Sequence, residues 1–397
     1  YIRRAGTLED MEKLTESNVR ISNCEINNIS TESGSNETVG ININAGIGVK
    51  IENNTLHGSK NGLIRYRGMM HTIRNNEIYA AVRSAADAGA IYAGRSLAQY
   101  GTIIEYNYFH DCEPINALDA NFGTDAIFLD DAHSGNTVRN NIFRGGVTKR
   151  GIMIQIGSGR DNVVEDNTFI NASYAVHGDD RAASYRSDDD ENMYKELTST
   201  PYNTLPYLAR FPQMEKAVQE WGKEKILYPH GTSIKNNLLV NSQSTIAKNY
   251  YTYGVVENNI ETTDEDIFVD KDSQDYRVKK ENVEKFNLNN IISEDFQINL
   301  IGVQTEKRKL GEFFRTYPQN GASDVAAQGF TISWQSLDGA DEYDYIIAKD
   351  ENLKDIVSSG KTELNSAEIT GLENNTVYYW TVYAKSIGLN NEQTVSA

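Results

Sequence analysis

Ile51-Glu52-Asn53-Asn54-Thr55-Leu56 and, 22 residues further on, Ile73-Arg74-Asn75-Asn76-Glu77-Ile78 are two copies of one hexad: aliphatic, any, Asn-like, Asn-like, any, apolar. The pattern recurs from Ile21, Ile104, Val138, Val164 and Ile234, and weakly from Val256, with successive starts 30, 22, 31, 34, 26, 70 and 22 residues apart. Asparagine turns a chain between strands because it tolerates left-handed backbone and bonds nearby peptide groups. The flanking apolar residues then point to a common interior. No single coil can bury its own apolar face, so neighbours must stack. A step of 22 residues is one coil of a parallel β-helix, and the longer steps are coils with loops inserted. An antiparallel sandwich would not hold one Asn-Asn hexad in register over seven copies.

A second strand precedes the central hexads. Its copies are Ile41 to Asn44, Ile64 to Arg67, Ile91 to Gly94, Ile127 to Asp130 and Ile152 to Gln155, with a further copy from Val176 to Asp179. Period-two alternation puts the first residue of each inside. Two outward columns are then expected. One is Asn42, Arg65, Tyr92, Phe128, Met153 and His177; the other is Asn44, Arg67, Gly94, Asp130, Gln155 and Asp179. Rungs about 4.8 Å apart make these columns one compact surface of Arg, Asp, His and aromatic groups.

The step of 70 residues contains an insertion, roughly 181 to 230. It opens with the acidic run Asp188 to Glu191 and turns helical near Pro212, with Met214, Ala217, Val218 and Trp221 on one face. Its tyrosines, Tyr185, Tyr194, Tyr202, Tyr207 and Tyr228, are placed to form a wall beside the outward columns; a flap that only covers apolar surface is the competing reading. Ile267 to Asp270 and Asp275 to Val278 read as closing strands, and Phe296, Ile298 and Ile301 as a cap on the open end. A composition shift after Tyr317-Pro318 begins a second domain of alternating strands. The expected division is 1–316 and 317–397. The fold class is all-β: a right-handed parallel β-helix with a small helical insertion, then a β-sandwich.

Composition narrows the function. With 39% hydrophobic and 24% charged residues, a 397-residue chain has room for two cores. A formal charge of −18 argues against nucleic acid, whose phosphates it would repel. No apolar run reaches 18 residues, so no membrane span is expected. Cys24 and Cys112 lie several repeats apart, which makes a disulfide between them unexpected. The chain opens Tyr1-Ile2-Arg3-Arg4, so an upstream part, with any export signal, is expected outside this sequence. No metal signature has standard spacing and no cofactor is expected; calcium at an acidic loop has no support.

Particular segments carry a resemblance. They are Asp87 to Arg95, Tyr106 to Asp111, Ile127 to Asp131 with Ser134-Gly135, and Ile156-Gly157 with Gly159 to Asn167; Ala175 to His177 and Leu208 to Pro212 extend it. Their order resembles a family of bacterial right-handed parallel β-helix proteins that includes members of glycoside hydrolase family 141, over roughly residues 20 to 300. One departure is Ser96, where the family's Gly-Arg pair is followed by Asp. In the second domain, Leu372 followed by Tyr378, Trp380 and Val382 resembles the fibronectin type III pattern with its tyrosine corner. The resemblance implies an exported carbohydrate-active protein, extracellular, periplasmic or on the cell surface. A polysaccharide or oligosaccharide is the expected partner, and the chain is expected to be a monomer.

Hydrolysis of a glycosidic bond usually needs two carboxyl groups across the bond. The strand positions and the resemblance point to Asp87, Asp130 and Asp131 as catalytic candidates, with Asp125 as an alternate. The bland reading is that Asp87 and Asp131 cap turns. Gly94 is expected to leave room for a sugar. Tyr92 and His177 are candidates to orient a hydroxyl or carry a proton. Arg65, Arg67, Arg95 and Arg160 are candidates for an anionic sugar carboxylate, with Gln155 beside them. His110 is expected to pack in a turn. Three functions compete: a hydrolase using paired aspartates, a polysaccharide lyase using Arg65, Arg67, Tyr92 or His177 beside a uronic carboxylate, and a non-catalytic carbohydrate-binding protein.

Overall fold

A computed structural model describes residues 1–27, 29, 38–82, 87–112, 124–145, 151–185, 191–219, 226–298, 302, 313–335, 337, 340, 342–362, 364–386 and 392–396. The chain forms two compact units, Tyr1–Thr305 and Glu306–Ala397. The division lies upstream of the expected one. Strand Arg315–Tyr317 pairs with Phe330–Trp334 of the second unit, and Phe313 is in that unit's core.

The first unit is a parallel β-helix with three sheets of eight, eight and seven strands. Each hexad supplies one strand to the first sheet and one to the second. Ile51, Ile73, Ile104, Val138, Val164 and Ile234 are in register along the first sheet. Leu56, Ile78, Phe109, Phe143, Phe169 and Leu239 are in register along the second. Phe109, Phe143 and Phe169 stack nearly parallel, with ring centres 4.7 and 4.9 Å apart.

The two Asn-like positions have different tasks. The first takes left-handed backbone, with φ between 50° and 57° at Asn23, Asn53, Asn75, Tyr106, Asn140, Asp166, Asn236 and Asn258. The second forms a ladder. Asn54 donates its side-chain amide to Asn76 Oδ1 (3.0 Å), Asn76 to Asn107 (2.9 Å), Asn107 to Asn141 (3.0 Å), Asn141 to Asn167 (3.1 Å), Asn167 to Asn237 (3.0 Å) and Asn237 to Asn259 (2.9 Å). Each Oδ1 also accepts from the backbone N–H of the preceding member. The buried turn groups are thereby satisfied, as burial requires.

The third sheet carries the outward columns, with one correction. Ala90, Ala126, Met153 and Ala175 are buried, and so are the residues that follow them, Ile91, Ile127, Ile154 and Val176. Two consecutive inward residues shift the alternation by one. Phe128 pairs with Gln155 and Gln155 with His177, so the first column is Asn42, Arg65, Tyr92, Phe128, Gln155, His177. Met153 is in the core rather than outward. Gly157, not Gln155, stands beside Asp179 in the second column, and Gly94 stands beside Asp130. Upstream of the phase change, Gly89, Asp125, Ile152 and Tyr174 form a third column.

The insertion holds helices Arg181–Tyr185, Glu191–Thr198, Leu205–Arg210 and Gln213–Gln219. Their apolar residues Met193, Leu197, Tyr207, Phe211, Met214 and Ala217 cover the corner formed by Leu97, Tyr100 and Ala132. Tyr207 is core, donating its hydroxyl to the Ala98 carbonyl, and Tyr228 stacks on Tyr253, so these two make no wall beside the columns. The run Asp188 to Asp190, the side chains of Tyr185 and Val218, and Trp221 lie outside the described residues. Phe268–Asp270 and Asp275–Val278 pair antiparallel. They pack with Ile298 against Tyr108, Ile142 and Leu238 on the second sheet, while Phe296 stacks on Tyr106. This segment therefore lines a flank instead of capping an end; Ile301 is outside the described residues. The second unit has antiparallel sheets of three and four strands around Ile332, Trp334, Tyr343 and Val382, compatible with a β-sandwich. Its Tyr378 hydroxyl accepts from the Glu373 amide (2.8 Å). No described helix is long and apolar enough to cross a membrane.

Candidate functional site

Strands Ala88–Gly94, Thr124–Asp130, Gly151–Gly157 and Tyr174–Asp179 are longer than the three-residue strands before them. Their ends bring together a cluster of carboxylates. Asp130 ends its strand, partly open to solvent, and accepts from the Tyr92 hydroxyl (3.0 Å). Burial and the neighbouring charge of Asp131 raise its pKa to about 6, against the lowering effects of Tyr92 and Arg181; Asp87 also pushes it up. Two environments that separate carboxyl pKa values are the usual origin of an acid and base pair.

Asp131 follows with φ 41° and is buried, accepting from Arg95 Nε at 3.0 Å. It stands on the turn after the strand, where it pairs with the Arg95 side chain. Asp87 is exposed at φ 56°, on the turn that enters strand Ala88–Gly94. Asp125 is 1% exposed, and burial holds its carboxyl well above the ordinary range despite Arg181. It faces outward, three residues from Phe128, because Ala126 and Ile127 both turn inward.

Arg181 is the member that sequence reasoning missed; Asp179 was expected in an outward column but not among the candidate site residues. Arg181 donates Nε to Asp179 Oδ1 (2.9 Å) and NH2 to Asp179 Oδ2 (2.6 Å). Its NH1 lies 3.6 Å from Asp130 Oδ1, and its guanidinium sits 5.5 Å from the Phe128 ring centre. Oriented to satisfy both neighbours, the Gln155 amide donates to Asp125 Oδ1 (3.3 Å) and accepts from Arg181. Burial pushes Asp179 up, but the hydrogen bond from His177 and the charge of Arg181 outweigh it and leave its pKa below the usual value. His177 Nε2 is 3.4 Å from Asp179 Oδ2. The missed signal was sequence adjacency: Arg181 is two residues past a column member, on the first turn of a segment read as insertion.

The remaining candidates separate. Arg65 lies over the Tyr92 ring at 5.8 Å, and burial, with Asp130, pushes the Tyr92 phenol up. Arg67 faces Glu196 of the insertion at 3.8 Å. Arg160 is buried and donates to the Ile226 carbonyl, so it belongs to the packing beneath the insertion and not to a sugar-facing surface. Gly94 makes room for the Tyr92 hydroxyl, which a Cβ there would approach to 2.7 Å. Ser96, at the departure from the family pattern, is buried and its Oγ accepts from the Ala98 and Gln99 amides. His110 ends a strand of the second sheet, stacked on Tyr79 (4.6 Å) and bonded to Asp111 and Glu77, away from this cluster. Among the described residues, no group of three or more His, Cys, Asp or Glu is placed to hold a metal ion.

A family model described as a right handed beta helix region matches residues 14–188, which include Asp87, Asp125, Asp130, Asp131 and Asp179. The first unit is a right-handed parallel β-helix. No curated protein matches the chain, and no solved structure does.

Proposed function

We propose that the first unit is a glycoside hydrolase acting on a polysaccharide or oligosaccharide, with Asp130 as proton donor and Asp87 as the opposing carboxylate. The observation that carries this reading is the state of Asp130. A pKa of about 6 on a partly open carboxyl keeps a proton available near neutral pH, the condition a general acid needs. Right-handed β-helices occur among polysaccharide-acting enzymes, which is consistent with the reading but does not select the reaction.

The partner follows by elimination among the carboxylates on this flank. Asp125 is sealed, Asp131 is tied to Arg95, and Asp179 is tied to Arg181, which stands between it and Asp130. Asp87 faces solvent and still acts electrostatically on Asp130 and Asp125. The water or sugar carbon it addresses would lie on the open side, with Tyr92, Arg65, Arg95 and His177 at the rim. A lyase needs a free base beside a uronic carboxylate. The Tyr92 phenol is pushed up and bonded to Asp130, and Arg67 faces Glu196, so the geometry favours hydrolysis. The second unit reads as a fibronectin type III-like accessory module, supported by the Tyr378 contact. An extracellular or cell-surface setting suits such a substrate.

The test is a polysaccharide panel assayed for new reducing ends. Asp130→Asn and Asp87→Asn should each abolish release while circular dichroism stays that of the wild type. Full activity in both variants would sink the assignment. Products that absorb in the near ultraviolet would indicate the lyase, and binding without turnover the non-catalytic reading.

A further inference from the structure

We propose that Arg181, the first residue of the helical insertion, is the positioning residue of this site: it braces Asp179, Gln155 and Asp130 in one arrangement and makes that arrangement depend on the docked insertion. Three observations carry this. The first is the contact set. One guanidinium makes a bidentate pair with Asp179, lies 3.6 Å from Asp130, bonds the Gln155 amide that reaches Asp125, and rests on the Phe128 ring. A planar fork with several donors can do this; a single ammonium cannot.

The second is the bed it lies on. Gly157 occupies the rung between Asp130 and Asp179, and a Cβ there would stand 3.1 Å from Arg181 Cδ. The absent side chain lets the arginine cross the sheet. The third is the tether. The next residue, Ala182, donates its N–H to Ser158 Oγ (3.0 Å) and is buried with Met193, Leu197 and Tyr207. Arg181 therefore cannot hold its place unless the insertion is packed on its corner.

The charge balance gives the consequence. Asp130 is faced by Tyr92 from its own sheet, by Asp131 from the following turn, by Asp87 from the turn before the adjacent strand, and by Arg181 from the insertion. Asp125 feels Arg181, Asp87, Asp130 and Asp179, while His177 flanks Asp179 and Arg95 pairs with Asp131. Arg181 is the cation shared by Asp125, Asp130 and Asp179. Without it, like charges crowd together, and Asp130 and Asp179 both hold their protons to higher pH.

Only the catalytic consequence rests on the hydrolase reading; the electrostatic part stands alone. The experiment follows the Asp130 carboxyl by NMR in full-length chain with 13C-labelled aspartate, beside the pH profile of kcat/KM on any polysaccharide the wild type cleaves. Arg181→Gln should raise the Asp130 titration by roughly one unit or more, and the high-pH limb of kcat/KM should move with it. Arg181→Lys should keep that titration near the wild-type position yet lower kcat, because charge remains and the fork is lost. An unchanged Asp130 titration in folded Arg181→Gln overturns the proposal. If Arg181→Gln does not fold, Arg181→Lys decides: unchanged kcat and titration overturn it. A wild type without activity ends the hydrolase reading, and the titration still decides the role of Arg181.

Discussion

As the pH falls, two histidines that the chemistry does not use should each withdraw stability from the corner that carries Asp130. His71 and His133 are fully buried, each edge-on to the Tyr66 ring at 5.8 and 5.7 Å. His71 Nδ1 accepts from the Val49 amide (3.1 Å), a role that protonation ends. Burial lowers His71 to about 4 and, with Arg67 and His71 nearby, lowers His133 to about 3, from an ordinary 6.5. Both folded values lie below the unfolded one. The stability these rings contribute is complete above pH 6.5 and lost as pH falls toward 4 and 3. At pH 5 the unfolded rings are mostly protonated and the folded ones are not, a difference of about 2 kcal/mol for each ring. About 4 kcal/mol in total is a large share of a typical 5–15 kcal/mol. Asp130 and Asp166, raised to about 6, and Asp125, raised further by burial, act in the opposite sense and gain stability as they protonate. A variant comparison cancels them. Between pH 7.5 and 5 the wild type should lose about 2 kcal/mol more than His133→Leu, which has no ring to protonate. Hydrogen exchange read by mass spectrometry on first-unit peptides, with both proteins at the same pH, measures this. Equal losses in the two proteins would refute the reasoning. The functional link is short, because the His133 N–H closes the Asp130 turn by donating to its carbonyl (3.0 Å).

Three further outcomes follow from the same contacts. Asn141→Ala removes the acceptor of the Asn107 N–H and three bonds of its own amide, so urea unfolding should show a loss of roughly 3–5 kcal/mol. Gly94→Ala puts a Cβ against the Tyr92 hydroxyl and should free Asp130 from it, raising the Asp130 titration by roughly one unit in the carboxyl NMR experiment. Cys24 is exposed and Cys112 buried, neither in a disulfide, so a thiol reagent should modify one cysteine in the native protein and both after denaturation.

The coils were legible because their chemistry repeats. Each hexad states its own burial at Ile73 and Ile78 and its own turn at Asn75, and the copies check one another. Even Tyr106 and Asp166, which break the Asn spelling, take the same left-handed backbone. The third sheet was read less well because its phase change is written in Ala90, Ala126, Met153 and Ala175, residues that suit an inward or an outward place equally. That ambiguity put Met153 outward when it is in the core, and Gln155 in the second column when it stands in the first. Asp130 was expected at a strand end, and it ends its strand. Arg181 was not, since its contacts run across rungs that only stacking brings near. Arg160 erred the other way: a guanidinium buried under helices looks, in sequence, like one on a surface.

The amide ladder has a consequence for how such a chain can change. From Asn54 to Asn76 the sequence runs 22 residues, and from Asn167 to Asn237 it runs 70, yet both steps close on a 3.0 Å bond. Register is kept between neighbouring coils and is indifferent to the contour length spent between them. A corner can therefore accept a foreign segment of any size without disturbing the next rung, and the segment that brings Arg181 has the form of such a graft. New chemistry can be added at the margin of this scaffold while the stack that supports it stays as it was.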